Sequence, residues 1–188
     1  NSFTAASGGA VAVTNSGLFT LSAAGAITAP AGFSTSGATT LSNSISTTNS
    51  LINLCTGGGA LTIGSGVTTT LTAGSGGVTI GGATDGAGTS TSTLIVDAAA
   101  GTVTFTGAVG SGLATKLAVV TIANSGALNF NSTLNITGAL TQTSAATGTT
   151  TFSSTVAVGS AVLKGVGFNV NNSFTAASGG AVAVTNSG

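Results

Sequence analysis

The segment that opens this chain occurs in it a second time. Residues 1–17 read NSFTAASGGAVAVTNSG, and residues 172–188 repeat them without a difference, so the offset is 172 minus 1, or 171. An identity of this length does not arise by chance, and self-similarity at a fixed period indicates a tandem array of structural units. We therefore predict that residues 1–171 form one repeat unit and that residues 172–188 begin the next.

Within the unit, a shorter pattern of Gly, small, apolar, polar and apolar residues recurs. It appears as GAVAV at 9–13, GALTI at 59–63, GTVTF at 101–105 and GALNF at 126–130. Alternation with a period of two places successive side chains on opposite faces of a β-strand. The Gly, Asn and Ser residues that flank these patterns are typical of tight corners. The pattern predicts short strands separated by corners.

Composition favours thin, closely stacked β-structure. The chain has 31 Gly, 36 Thr and 24 Ser, which together make 91 of 188 residues, and 41% of its residues are hydrophobic. No helical stripe is present, and so many Gly and Thr residues penalise a helix. Turns stacked about 4.8 Å apart enclose a narrow core that small side chains can fill. We predict an all-β solenoid without α-helix, with about eight or nine turns per repeat unit at roughly 20 residues per turn.

Charge excludes two classes of partner. The chain carries two Lys or Arg and two Asp or Glu residues, with a formal net charge of zero. Binding to nucleic acid or to an anionic membrane requires clustered cations. No apolar run approaches the roughly 18 residues of a membrane-spanning helix. We therefore expect neither a nucleic-acid partner nor insertion into a membrane.

Several long segments carry a resemblance to a known group of proteins. Residues 61–80 (LTIGSGVTTTLTAGSGGVTI), 94–109 (LIVDAAAGTVTFTGAV) and 168–188 resemble the β-strand repeats of filamentous-haemagglutinin-like and autotransporter-like bacterial surface proteins. The resemblance implies a right-handed parallel β-helix within a very large secreted protein. It also implies an extracellular location at the bacterial surface, as an adhesin, a stalk or a fibre.

The chemical inventory gives no support to catalysis. The chain has no His, which excludes Ser-His-Asp and Cys-His arrangements within it. A Ser-Lys mechanism would need Lys116 or Lys164 to be buried beside a Ser, and no sequence pattern indicates this. Asp85 and Asp97 are the only carboxylate side chains, too few for a calcium site, and no aromatic platform accompanies them to hold a sugar. We predict no enzymatic activity, no cofactor and no metal.

Two further features are candidates for structural roles. The separation of Asp97 and Lys116 (116 minus 97 is 19) is close to one turn, so they could form an ion pair between turns; the alternative is two unrelated solvated charges. Cys55 is the only cysteine and cannot form an internal disulfide. It could link neighbouring rods laterally in an oxidising space, or it could be a small buried residue with an idle thiol.

These observations predict a structural role. We expect a segment of a long extracellular filament or adhesin shaft, whose partners are further copies of the repeat in the same chain or end-to-end neighbours. Low surface charge removes repulsion between rods and favours lateral bundling. The alternative is a binding module that recognises a carbohydrate or a host protein, which would present a groove or an exposed aromatic and polar cluster. An ice-binding Thr array would need a motif at fixed spacing, and Thr68-Thr69-Thr70 does not recur in that way.

Overall fold

The fold is known from a computed structural model, which describes residues 2–88, 90–112, 115–144 and 146–187. These residues contain short β-strands throughout, one 3₁₀ turn at Gly74–Gly76 and no α-helix. The strands of the first half are β1 (Phe3–Thr4), β2 (Val11–Val13), β3 (Phe19–Leu21), β4 (Ile27–Thr28), β5 (Phe33–Thr35), β6 (Thr39–Leu41), β7 (Ile45–Ser46), β8 (Ile52–Leu54), β9 (Leu61–Ile63), β10 (Thr68–Thr72), β11 (Val78–Ile80) and β12 (Thr84–Gly86). The remaining strands are β13 (Thr93–Asp97), β14 (Val103–Phe105), β15 (Val119–Asn124), β16 (Leu128–Phe130), β17 (Leu134–Asn135), β18 (Ala139–Gln142), β19 (Ala146–Phe152), β20 (Val156–Val158), β21 (Ser160–Val170), β22 (Phe174–Ala176) and β23 (Val182–Asn186).

The strands stack into three faces of a parallel β-solenoid. Face 1 contains β1, β4, β7, β10, β13, β15, β18, the first part of β21 and β23. Face 2 contains β2, β5, β8, β11, β14, β16, β19 and the second part of β21. Face 3 contains β3, β6, β9 and β12, then the bridging residue Val109, then β17, β20 and β22. The described residues pass through the faces in this order for eight turns, and β23 begins a ninth.

All pairings between neighbouring turns are parallel, because each strand stacks on the strand one turn earlier. The length of a turn varies along the chain. Ile27 pairs with Ile45, a step of 45 minus 27, or 18, whereas Ile45 pairs with Leu71, a step of 71 minus 45, or 26. The predicted parallel solenoid without α-helix is confirmed, while its turns are less uniform than the constant length expected from the sequence.

Alternation within each strand builds the core. In the central strands the first and third residues point inward and are fully buried, as in β8, β11 and β14, while the middle residue lies on the surface. Inward residues therefore form columns along the axis. One column stacks the rings of Phe105, Phe130 and Phe152 nearly parallel, with centroids 4.8 and 5.4 Å apart. Stacked aromatic side chains of this kind add to the stability that burial provides.

The corners between strands leave little room for side chains. A Cβ added to Gly82 or Gly107 would collide with the backbone of the turn before it. Because adjacent turns are about 4.8 Å apart, such positions require glycine. This explains why a chain with so many Gly residues can still form a single continuous core.

Candidate functional site: the ends and surface of the solenoid

The first turn leaves the core open at one end of the solenoid. A cavity of about 280 Å³ lies there, lined by apolar residues that include Phe3, Val11, Phe19 and Leu21. Phe3 is 54% exposed, although the alternating pattern places equivalent side chains of later turns inside. We call the surface formed by β1, β2 and β3 the first-turn end. It presents both apolar side chains and unpaired strand edges, a combination that templates further strand pairing.

The other end of the stack is formed by β22 and β23. β22 pairs with β20, and β23 pairs with β21 through Ala161 to Gly165. Val182 and Val184 of β23 remain largely exposed. Both ends of the described solenoid are therefore strand edges with apolar side chains, suited to contact with another turn.

A shallow groove runs along face 3. It has a volume of about 300 Å³ and is lined by residues that include Lys116, Asn135, Thr137 and Thr175. No aromatic side chain lines it. The groove offers one cation and one amide, which can donate hydrogen bonds to a polar ligand. The hydroxyls of Thr137 and Thr175 donate to the backbone oxygens of Leu117 and Val156, so they can only accept hydrogen bonds from a ligand.

The register does not bring Asp97 and Lys116 together. The residue beside Asp97 in the next turn is Asn124, after a register shift that follows Val96. The Nδ2 atom of Asn124 donates a hydrogen bond of 3.0 Å to Oδ1 of Asp97, and the backbone N of Ala99 donates another of 3.3 Å. The turn from Asp97 to Asn124 is longer than the spacing assumed from sequence, and this moves Lys116 away from the predicted place.

Lys116 instead lies beside face 3. Its backbone oxygen approaches Gly86 at the end of β12, and its side chain lines the groove. The second cation, Lys164 in β21, donates from Nζ to the backbone oxygen of Thr143 at 3.3 Å. The two lysines therefore have separate surroundings on the rod.

Cys55 is buried in the core, which argues against the lateral disulfide. Cys55 has no exposed surface, and its backbone φ is 57°. The backbone N of Cys55 donates a hydrogen bond of 3.0 Å to Oγ1 of Thr35. Thr39 Oγ1 donates in turn to Thr35 Oγ1 at 2.8 Å. Burial raises the pKa of the Cys55 thiol, although hydrogen bonds with Thr39 and Thr35 partly oppose the shift. A thiol in this position cannot reach a neighbouring rod, so the geometry fits the alternative of a small buried residue.

One side-chain contact between turns was not predicted from the sequence. The carboxylate of Asp85 in β12 accepts hydrogen bonds from both the backbone N and the Oγ of Ser111, each 2.7 Å long. It thereby ties β12 of one turn to the corner that follows Val109 in the next turn. Asp85 and Ser111 each precede a Gly, which is a corner signal, but the length of the turn between them is not visible in the sequence.

The described residues contain no group of three or more His, Cys, Asp or Glu side chains that could hold a metal ion. In the same part of the chain, no helix is sufficiently long and apolar to cross a membrane.

The chain was compared with known proteins at three levels. No family model, no curated protein and no solved structure matches it. What the structure and the sequence establish of this chain is a parallel β-solenoid with an internal repeat.

Proposed function

We propose that this chain is a structural segment of a long extracellular bacterial filament or adhesin shaft built from tandem β-solenoid repeats. The observation that carries the proposal is a continuous stack of eight parallel turns to which the second copy of the repeated segment adds without a break. In the second copy, β22 stacks on β20 and β23 stacks on β21. A repeat that stacks on the end of the repeat before it is suited to a long solenoid.

The mechanical argument rests on backbone hydrogen bonds that run along the axis. On face 2, Ile52 N donates to Gly77 O at 3.1 Å, and Val78 N donates to Thr102 O at 3.0 Å. Val103 N continues the row to Ala127 O at 2.9 Å. Each bond contributes a net stabilisation of about 0.5–1.5 kcal/mol, and a pull along the axis loads many of them at once. A rod of this design resists extension without disulfides or metals.

The composition of the surface is suited to an extracellular location. Only Lys116 and Lys164 provide cleavage sites for trypsin-like proteases, and the backbone around Lys164 is paired within β21. The remaining surface is rich in Ser, Thr, Asn and Gly, with little charge. Low charge also removes repulsion between parallel rods, which supports lateral bundling as a second property.

Electron microscopy of protein carrying several consecutive repeats tests the filament role. We expect unbranched rods with an axial spacing of about 4.8 Å and a length that grows linearly with the number of repeats. Antibody labelling of intact producing cells should place the rods outside the cell envelope. Compact particles whose length does not grow with repeat number would overturn the shaft, and labelling that requires cell lysis would overturn the location.

The groove along face 3 supports a second candidate, a surface that binds a carbohydrate or a host protein. Its polar lining includes Lys116 and Asn135, which can contact hydroxyl or carboxylate groups. A glycan array with the wild-type chain and with Lys116→Ala and Asn135→Ala variants tests it. Binding that both substitutions weaken supports this candidate, and no binding to any glycan or host-cell extract opposes it.

A further inference from the structure

The two copies of the repeated segment occupy different faces of the solenoid. In the first copy, Phe3 lies in β1 on face 1 and pairs with Ile27. In the second copy the equivalent residue, Phe174, lies in β22 on face 3 and pairs with Val156. The same amino acids in the same order have therefore changed face.

The second strand of the segment moves with the first. Val11 of β2 lies on face 2 and pairs with Phe33, whereas its equivalent Val182 of β23 lies on face 1 and pairs with Ala161. Both strands are displaced by one face in the same sense. The displacement is therefore a property of the whole segment and not of a single strand.

The corner between these two strands keeps its local structure. Gly8 and its equivalent Gly179 have φ angles of 83° and 81°. Gly9 N donates to Ala6 O at 2.8 Å, and Gly180 N donates to Ala177 O at 2.7 Å. Because the corner is the same in both copies, the segment fits either pair of adjacent faces without being remodelled.

Spacing along the first two turns explains how this is possible. Phe3, Val11, Phe19 and Ile27 stand on consecutive faces, each eight positions after the one before. From Ile27 the following faces begin at Phe33, Thr39 and Ile45, in steps of six. Three equal steps per turn make the faces interchangeable for this part of the repeat.

We infer that one repeat, residues 1–171, spans seven and two-thirds turns, from face 1 of the first turn to face 3 of the eighth. Each following repeat is rotated by one face relative to the repeat before it. Three repeats of seven and two-thirds turns complete 23 turns and return to the starting face after about 110 Å. The inference rests on the tandem arrangement in the proposed function, but not on an extracellular location.

The same geometry assigns an occupant to the first-turn end. In the second copy, Phe174 stacks on Val156, and the rings of Phe174 and Phe152 form a T-shaped contact with centroids 5.5 Å apart. The exposed ring of Phe3 is the equivalent group. The first-turn end therefore receives β20 and β21 of a preceding copy of the repeat, and Phe152, at the end of β19 in that copy, contacts Phe3.

The rotation has a consequence for lateral contacts. A surface feature of one repeat, such as the groove beside Lys116, reappears on a different side of the rod in each of three consecutive repeats. The same surface feature can then contact partners or neighbouring rods on three sides of the rod.

Disulfide trapping in the full chain tests the faces directly, in a Cys55→Ala background. Ala157→Cys with Thr175→Cys pairs the outward positions of β20 and β22, which are register partners. Adjacent parallel strands bring Cα atoms within the range that a disulfide requires. Copper phenanthroline with dissolved oxygen oxidises the two thiols to one disulfide. Trypsin cleavage of the unfolded chain after Lys116 and Lys164 then shows whether peptides 117–164 and 165–188 are joined.

The competing arrangement returns the second copy to face 1, after a whole number of turns. It would place Thr175 beside Val162 of β21, so Val162→Cys with Thr175→Cys is the competing pair. We expect nearly complete linkage for the Ala157 pair and background linkage for the Val162 pair. The reverse result, or no linkage for the Ala157 pair, overturns the inference.

A matched control shows that linkage across one turn can be detected. Ile95→Cys with Thr121→Cys joins register partners of β13 and β15 in the middle of the stack, and links peptides 1–116 and 117–164. This pair should oxidise in the same conditions. For the first copy, Thr4→Cys with Thr28→Cys pairs β1 with β4, and its disulfide is read as the loss of two hydrogen atoms by mass spectrometry. Failure of that pair would overturn the face assigned to the first copy.

Helical reconstruction of a chain with at least six repeats gives an independent answer. We expect a rise of about 37 Å per repeat with a rotation of one face, in addition to the twist of the stack. A repeat without this rotation overturns the inference but does not contradict the proposed filament role. If the disulfides form as expected but the protein is found only inside the cell, only the proposed location is overturned.

Discussion

The tripeptide Val-Ala-Val occurs in three strands of this solenoid and has a different environment in each. In β20, Val156 and Val158 are 1% and 4% exposed, whereas in β23 Val182 and Val184 are 47% and 55% exposed. In β2, the two valines are half-buried. Sequence is constant in this comparison, so the difference in burial comes entirely from the neighbouring turns.

The pairing partners distinguish β20 from the two strands at the ends of the stack. β20 lies between β17 and β22 and is covered on both sides. β23 pairs with β21 alone among the described strands, and β2 with β5 alone. A solenoid strand thus gains its hydrophobic stabilisation from the turn on either side, as expected for a structure whose stability is a sum over nearest neighbours.

The largest contrast is expected for phenylalanine. Phe130→Ala removes the middle ring of the stack between Phe105 and Phe152 and leaves a cavity in a core that cannot collapse along the axis. We expect the free energy of unfolding to fall by about 3–5 kcal/mol. Phe3→Ala, at the exposed end, should cost less than about 1 kcal/mol. Guanidinium unfolding followed by circular dichroism measures both, and equal losses would contradict the nearest-neighbour account.

The two copies of the repeated segment allow a covered and an uncovered position to be compared at equivalent glycines, Gly180 and Gly9. Gly180→Ala places a Cβ against the backbone oxygen of Gly159 in the turn before it, while the equivalent Gly9→Ala meets Ala6 O at 3.1 Å. Overpacking of this kind costs about 1–3 kcal/mol. We expect the amides of β23 to exchange hydrogen at least tenfold faster in Gly180→Ala. The amides of β2 should change less in Gly9→Ala, and a larger effect there would count against the stacking seen at the second copy.

The valines themselves provide a smaller version of the test. Val156→Ala deletes two buried carbon atoms and should cost roughly 1.5–2 kcal/mol, at about 0.8 kcal/mol per methylene plus a small cavity. Val182→Ala should change the free energy of unfolding by less than about 0.5 kcal/mol. In a chain extended by a further repeat, the cost of Val182→Ala should rise toward that of Val156→Ala. If it stays small in the longer chain, another repeat does not cover β23.

The smallest effect concerns Cys55 and pH. Because burial raises the pKa of its thiol, the unfolded chain loses this proton at a lower pH than the folded chain does. The contribution of Cys55 to stability should therefore be constant up to about pH 8 and fall as the pH rises above about 8.5, where the unfolded thiol ionises. Urea unfolding across this range measures the decline. Cys55→Ala should remove it, and a decline that persists in this variant would assign it to another group. The sequence has no His or Tyr to obscure the result.

Sequence reasoning predicted the strands well where alternation was clear. Residues 59–63, 101–105 and 126–130 each contain a strand, at β9, β14 and β16, with the apolar residues inward. The absence of helix followed from the same pattern together with the Gly and Thr content. These predictions succeed because alternation and corner chemistry are local properties of a few consecutive residues.

The candidate site residues were predicted less well, for a physical reason. From sequence, Asp97 and Lys116 could form an ion pair or be two unrelated solvated charges, and turns of unequal length place Asn124 beside Asp97 instead. For Cys55 the sequence left a lateral disulfide and a small buried residue open, and the choice between them depends on its corner conformation and on Thr35 from the previous turn. Gly-rich strands with polar outer faces specify their register weakly, so the partner across a turn is set by the sum of all corners.

The amino-acid sequence by itself determined that this chain forms short strands with one inward and one outward side, that it stacks into a solenoid, and that its first segment recurs at residues 172–188. Only the tertiary structure decided which face each strand occupies, how long each turn is, and that the two identical segments stand on different faces. The physical reason is the distance along the chain over which each property is determined. Inward and outward positions follow from neighbouring residues, whereas the face of a strand depends on the lengths of every corner between it and its partner turn.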